Sequence, residues 1–282
     1  MNAHVYWRIL AAEHRQSLSR AGGPGAADAR RALLLAGLSI LAGTILITVG
    51  GYRIGFDAAH RMGHFFPEIW LELASTVGDT LPAVALFALL AKREPRALWM
   101  GVLASAYAMT ITSVLKHLCN ATRPPAVFGD AVVLGGAALR LHSFPSGHTV
   151  TAFVLAACLA VGAARNARIA LYAGATFVGL SRVWLGVHWP IDVVTGVGVA
   201  GFSVWLAIRT MRASSWGLGL TPHFVFVLLI CACAILQVTT IPEYPIPPYL
   251  LRVGIAAAAL SVLSRDYLLR PLLQVATSPS TP

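Results

Sequence analysis

Three short segments hold residues whose types and spacing suit phosphate chemistry. In the first, Lys116 and Arg123 precede Pro124. Proline disfavours helical geometry in the residue before it, so the chain can turn at Arg123 and aim both cations at one point. Lysine offers a point charge and arginine a planar fork, and phosphate oxygens accept from both. Alone, the pair reads equally well as two basic side chains reaching for water from a helix end. The second segment is Phe144-Pro145-Ser146-Gly147-His148-Thr149. Ser146 can cap a helix, and Gly147 lets a ligand approach the backbone. Free amides at the positive helix end attract an anion. His148 beside that anion would exchange protons near neutral pH, or be an ordinary interfacial histidine after a capped helix start. The third segment carries Ser181, Arg182, His188, Pro190 and Asp192. Pro190 suits a first helical turn, where the Asp192 carboxylate can meet the His188 imidazole. Such a carboxylate fixes the tautomer and makes one ring nitrogen a better nucleophile. A structural His–Asp cap uses the same spacing.

Together the segments resemble the type 2 phosphatidic acid phosphatase (PAP2) superfamily, whose signature reads K-x6-R-P, then P-S-G-H, then S-R-x5-H-x3-D. The matching positions are Lys116, Arg123 and Pro124, Pro145 to His148, and Ser181, Arg182, His188 and Asp192, with no departure. Order and spacing both agree, which single short motifs would not show.

The resemblance implies cleavage of a phosphomonoester or pyrophosphate through a phosphohistidine, without metal or other cofactor. His188 is then the expected nucleophile, oriented by Asp192. His148 is the expected general acid, protonating the leaving oxygen and later activating water. Lys116, Arg123, Arg182, Ser146 and the Gly147 amide would hold the phosphate oxygens as charge builds up, an electrostatic cradle worth several kcal/mol as an order of magnitude. Three cations already neutralise the phosphate, so no divalent ion is needed.

The elements that position these residues follow from composition. Of the 282 residues, 57% are hydrophobic and 11% are charged. A soluble domain carries roughly 25% charged residues, so this pattern belongs to an integral membrane protein and excludes a cytosolic enzyme or a disordered chain. Apolar stretches of near-spanning length fall at about 32–49, 70–91, 97–116, 148–164, 169–186, 191–208, 219–238 and 249–264. The expected fold is all-α: a six-helix PAP2-like membrane core plus two extra C-terminal transmembrane helices. The chain divides into a polar N-terminal segment over 1–31, a catalytic core over 32–212, and a final portion over 213–282. With the N-terminus cytoplasmic, fourteen of the 21 basic residues fall on inner segments. That bias places all three motifs outside, and the resemblance to the bacterial lipid phosphatases implies an inner membrane. The net charge of +10 does not signal nucleic acid, because no basic run interleaves with aromatics.

Other polar residues carry less. Asp79 reads as a headgroup contact or a helix cap. His60 and His64 fall on an amphipathic segment whose Phe65, Phe66 and Trp70 suit headgroup level. Trp184 and Trp189 read as interfacial anchors in preference to substrate stackers. The segment 125–143, with an apolar run over 131–139 broken by Gly135 and Gly136, is either a lid or a membrane-surface element. Cys158, Cys231 and Cys233 lie in apolar stretches and read as small apolar side chains.

The partners expected are a lipid phosphate substrate and the surrounding membrane lipids. The leading functional reading is a lipid phosphatase or diphosphatase, with undecaprenyl pyrophosphate the favoured substrate. A lipid-to-lipid phosphotransferase would use the same site. A non-catalytic anion transporter or receptor would not require both histidines and Asp192.

Overall fold

The computed structural model describes residues 3–135, 138–239 and 246–277; Gly136 lies outside the described residues. Regular structure there is helical: α1 (Ala3–Arg20), α2 (Ala26–Gly50), α3 (Phe56–Gly63), α4 (Glu68–Gly78), α5 (Thr80–Leu86), α6 (Ala88–Ala91), α7 (Pro95–Cys119), α8 (Pro124–Phe128), α9 (Gly147–Leu159), α10 (Arg165–Trp184), α11 (Pro190–Ala213), α12 (Leu220–Thr239), α13 (Ile246–Ser264) and α14 (Arg270–Thr277).

Each expected apolar stretch is helical, but fewer than eight qualify as spans by themselves. Five helices are long and apolar enough to cross a membrane, and α4 with α5 and α6 makes a sixth if their 67° bend is crossed as one span. The other two expected spans differ for separate reasons. Helix α9 has only 13 residues, and α10 contains Arg165, Arg168 and Arg182. Both pack around the motif residues, so their sequences serve close packing and charge placement as much as contact with lipid.

Helix α11 is the hub, packed against α2, α7, α9 and α10. Its approach to α2 rests on small residues. Ala32, Ala36, Ser39 and Gly43 form the buried stripe of α2. A methyl group at Gly201 would stand 2.6 Å from the Ala32 carbonyl oxygen, and one at Gly198 would stand 3.0 Å from Ser39 Cβ. Between apolar helices in lipid, such close backbone approach supplies the dispersion contact that hydrophobicity cannot. The opposite face of α2 exposes Leu33, Leu34, Leu38, Ile40, Leu41 and Ile45, as an integral membrane protein requires.

The two ends of the bundle differ in chemistry. At one end Arg20, Lys92, Arg93, Arg265 and Arg270 surround a cavity together with Glu13 and Asp266. All three motifs gather at the other end, around the C-terminal turn of α7, whose 25 residues separate the two by about 37 Å at 1.5 Å per residue.

Candidate active site

The first motif leaves α7 through Asn120, a left-handed residue (φ 37°, ψ 41°) whose amide still bonds the Lys116 carbonyl. Arg123 is extended (φ −89°, ψ 162°), as its place before Pro124 demands. A brief pairing of strand type, Arg123 N to Arg140 O and Ser143 N to Ala121 O, brings the end of the long connection back beside it. The buried Arg123 guanidinium donates to the carbonyls of Leu141 (3.0 Å) and Val187 (3.2 Å) and to His188 Nε2 (3.2 Å). Lys116 Nζ donates to the His142 carbonyl at 2.6 Å.

Ser146 caps α9, its hydroxyl oxygen accepting from the amide and hydroxyl of Thr149. Because that oxygen accepts both, its own proton is available to another partner. The Gly147 Cα faces open space, with nothing within 4 Å of the place a methyl group would occupy. The first-turn amides there have no carbonyl one turn back, which leaves an anion-seeking pole.

The third motif turns sharply between α10 and α11. The amides of Val187 and His188 both bond the Arg182 carbonyl. Gly186 adopts φ +75°, and a methyl group there would lie 2.0 Å from the Val132 carbonyl oxygen. Glycine is therefore required twice over, by conformation and by the approach of the 130–135 segment. That segment packs on the His188 turn through Leu134 N to Leu185 O and through Val132, Val133 and Leu134, so this part of the 125–143 connection covers the turn. Trp184 and Trp189 are buried, contrary to the expectation of interfacial anchors. Trp189 Nε1 donates to Thr122 O at 2.7 Å and its ring packs on Phe56 and Phe128, so both indoles wall the turn.

His188 is 1% exposed. Its Nδ1 meets Asp192 Oδ2 at 3.1 Å, while Nε2 faces Arg123. Arginine can only donate, so the two contacts assign the proton to Nδ1 and the lone pair to Nε2. Burial first, and then the charges of Arg123, Arg182 and Lys116, hold this imidazole well below its ordinary proton affinity. It stays neutral at pH values where an unfolded histidine takes up a proton. Arg182 is buried and donates to the Ser75 hydroxyl of α4.

Residues outside the signature complete the site. Asp192 accepts from the Ser143 hydroxyl, the Tyr52 hydroxyl and the Trp189 amide besides His188. Burial, and then the neighbouring Asp192 charge, push the Tyr52 phenol well up, so it remains a donor. Tyr52 follows the end of α2 and Ser143 stands just before the second motif; neither has a spacing that marks it in sequence. Asp79 lies in the bend between α4 and α5, at the N-cap position of α5, but its side chain makes no capping hydrogen bond. Its Oδ1 meets His148 Nε2 at 2.7 Å and its Oδ2 pairs with Arg252 of α13. His60 bonds the Trp184 carbonyl through Nδ1, whereas Phe65 and Trp70 are exposed.

A groove of about 620 Å³ opens from Lys116, Gly147, His148 and Asp79 and runs down between α5, α7, α9 and α12. Its wall on α7 extends from Lys116 to Leu98, about 27 Å at 1.5 Å per residue. Phe87, Met109, Leu155 and Ile230 represent its mostly apolar lining.

A model of the PAP2 superfamily matches residues 97–216. The chain is 32% identical over 105 residues to a lipid A 1-phosphatase of Rhizobium johnstonii and 34% identical over 108 residues to that of Rhizobium etli. Those matches take in 36% of this chain and 41% and 45% of the relatives, so the chain spans less than half their length. It is 32% identical over 166 residues to decaprenylphosphoryl-5-phosphoribose phosphatase of Mycolicibacterium smegmatis, across 58% of this chain and 79% of that one. The crystal structure of Aquifex aeolicus LpxE superposes with a TM-score of 0.47 at 21% identity, covering 57% of this chain and 98% of that chain.

Proposed function

Since this chain belongs to the PAP2 superfamily, we propose that it is a metal-independent phosphatase acting on a phosphate carried by a long-tailed membrane lipid. One observation carries the reading: the groove is lined at one end by Lys116, Gly147 and His148 of the candidate site and continues as an apolar channel almost as long as the roughly 30 Å hydrocarbon core. A phosphate seated at the helix ends can thus keep its tail among apolar side chains.

In the proposed reaction His188 Nε2 attacks phosphorus, the bond to the leaving oxygen breaks, and His148 gives that oxygen its proton. Water then attacks the phosphohistidine and passes a proton to His148. The N–P bond breaks, returning its electron pair to Nε2 and releasing inorganic phosphate. Lys116, Arg123, Arg182, the Ser146 hydroxyl and the Gly147 amide hold the oxygens that gain charge. Arg123 and Lys116 must then exchange part of their present carbonyl contacts for phosphate oxygens.

Undecaprenyl pyrophosphate is the proposed preferred substrate. The length of the groove supports a long isoprenoid tail, and three cations suit a pyrophosphate. The relatives, named for lipid A 1-phosphate and for decaprenylphosphoryl-5-phosphoribose, support large lipid carriers generally. Apolar contacts discriminate by only about 1–3 kcal/mol per group, so activity on several lipid phosphates is expected. The test is release of inorganic phosphate by the purified protein, with undecaprenyl pyrophosphate set beside phosphatidylglycerol phosphate, phosphatidic acid and a lipid A 1-phosphate. Vanadate, which can adopt the trigonal-bipyramidal shape of the transition state, should inhibit, and EDTA should not. Loss of activity in EDTA with recovery on added magnesium would overturn the metal-free mechanism. A hundredfold preference for a glycerolipid would overturn the substrate ranking.

The proposed orientation puts the site on the outer, periplasmic face of a bacterial inner membrane. The basic cavity at the opposite end supports it, since cationic segments favour the cytoplasmic side. Ala126 is exposed on the motif end, and exposed Cys119 lies near it. In a Cys119→Ser background, Ala126→Cys should react with an impermeant thiol reagent in intact cells. Reaction only after membrane disruption would reverse the orientation.

A further inference from the structure

Helix α13 lies beyond the matched residues 97–216, yet it reaches the reaction centre. Arg252 is 8% exposed on an otherwise apolar helix, and a cation at that depth needs a counter-charge. It finds Asp79 Oδ2, and the other oxygen of the same carboxylate meets His148 Nε2. Asp79 is placed by the bend itself: with φ −67° and ψ 147° it leaves helical geometry between α4 and α5. Gly78 keeps the contact close, because a methyl group there would stand 3.0 Å from His148 Cβ. Two imidazoles in one site are thus each met by a carboxylate, His188 at Nδ1 and His148 at Nε2. The Asp192 carboxylate is steadied by neutral donors, Tyr52, Ser143 and the Trp189 amide, whereas Asp79 is steadied by a charged residue from α13.

We propose that Asp79 and Arg252 are positioning residues for the proton-transferring His148, through which the C-terminal helical pair becomes part of the catalytic apparatus. Asp79 takes the Nε2 side of the ring and so directs Nδ1 to the leaving oxygen. Arg252 holds the carboxylate, and therefore the ring, in one orientation. The inference rests on the phosphatase reading. Its competitor is electrostatic bookkeeping alone, in which Asp79 only neutralises a buried arginine and ties α13 to the bend.

Leaving-group chemistry separates the two. A simple alkyl phosphate releases a poor leaving group that needs a proton, whereas 4-nitrophenyl phosphate releases one that hardly does. The quantity to compare is kcat/KM, which extends only to the first irreversible step, here departure of the leaving group. Positioned acid catalysis contributes about 10²–10⁴-fold, and loss of positioning should remove part of it. For purified full-length protein, Asp79→Asn and Arg252→Gln are expected to lower kcat/KM for the alkyl phosphate by roughly 10- to 100-fold, within that contribution. The value for 4-nitrophenyl phosphate should stay within about threefold, since little proton transfer is needed there. Arg252→Lys should restore most of the loss.

The double variant Asp79→Asn/Arg252→Gln leaves no unpaired charge. It should regain thermal stability lost by either single change while remaining impaired on the alkyl substrate. Recovery of alkyl phosphate turnover in the double variant, or equal losses on both substrates, would overturn the positioning role. Parent protein that hydrolyses neither substrate nor any lipid phosphate would instead overturn the phosphatase reading itself.

Discussion

His188→Ala should lower turnover by several orders of magnitude while the protein remains folded, the result expected when a covalent catalyst is removed. The imidazole is buried but sits in a turn whose shape rests on other contacts. The Val187 and His188 amides bond the Arg182 carbonyl, Leu134 bonds Leu185, and Trp189 bonds Thr122. None of these uses the His188 side chain, so truncation leaves the turn its own hydrogen bonds. The loss should appear in kcat with little change in KM, because Lys116, Arg123 and Arg182 still attract the phosphate. Phosphate release and thermal unfolding of the same preparation check both halves. Turnover within tenfold of the parent would remove His188 from the nucleophile's place.

Asp192→Asn should be the next most damaging change, by about 10²–10⁴-fold, the upper end being the cost when a catalytic histidine is left in the wrong tautomer. As a carboxylate, Asp192 accepts from four donors: His188 Nδ1, the Ser143 and Tyr52 hydroxyls, and the Trp189 amide. An amide in its place turns its NH₂ either toward Tyr52, whose hydroxyl can accept, or toward His188, Ser143 and the Trp189 amide, and that backbone amide can only donate. If the NH₂ faces His188, it favours a lone pair on Nδ1 and a proton on Nε2, the nitrogen that must attack. The damage should still be smaller than in His188→Ala, because the nucleophile is present. Tyr52→Phe removes one neutral donor of the four and should cost roughly tenfold or less, within the worth of one hydrogen bond to a charged group. The order His188→Ala, Asp192→Asn, Tyr52→Phe is the result to seek in one assay. An Asp192→Asn protein as active as the parent would show that the dyad is only structural.

Composition and local spacing were enough for the membrane class, the helical fold and the three motifs. Lipid contact demands apolar runs of fixed length, and phosphate chemistry demands a few residue types at short local spacings. His188 and Asp192 are one helical turn apart in the chain, and Pro124 and Pro190 act on their immediate neighbours. Local rules of this kind need no knowledge of what lies across the bundle.

The remaining contacts of the site arise from packing between distant helices. Tyr52 is 140 residues from Asp192 and Arg252 is 173 from Asp79, and no periodicity links such pairs. Trp184 and Trp189 resemble membrane anchors in composition, but the 130–135 segment and Phe56 cover them, so partners distant in sequence set their burial. Helix α9 is too short and α10 too charged to be judged as spans alone, since their neighbours share the work of excluding lipid and water. Even the isolated Asp79 acquired its place only from the bend between α4 and α5, which aims one carboxylate at two helices. Short-range geometry is written in consecutive residues; the pairing of buried charges depends on which helices meet, and only packing settles that.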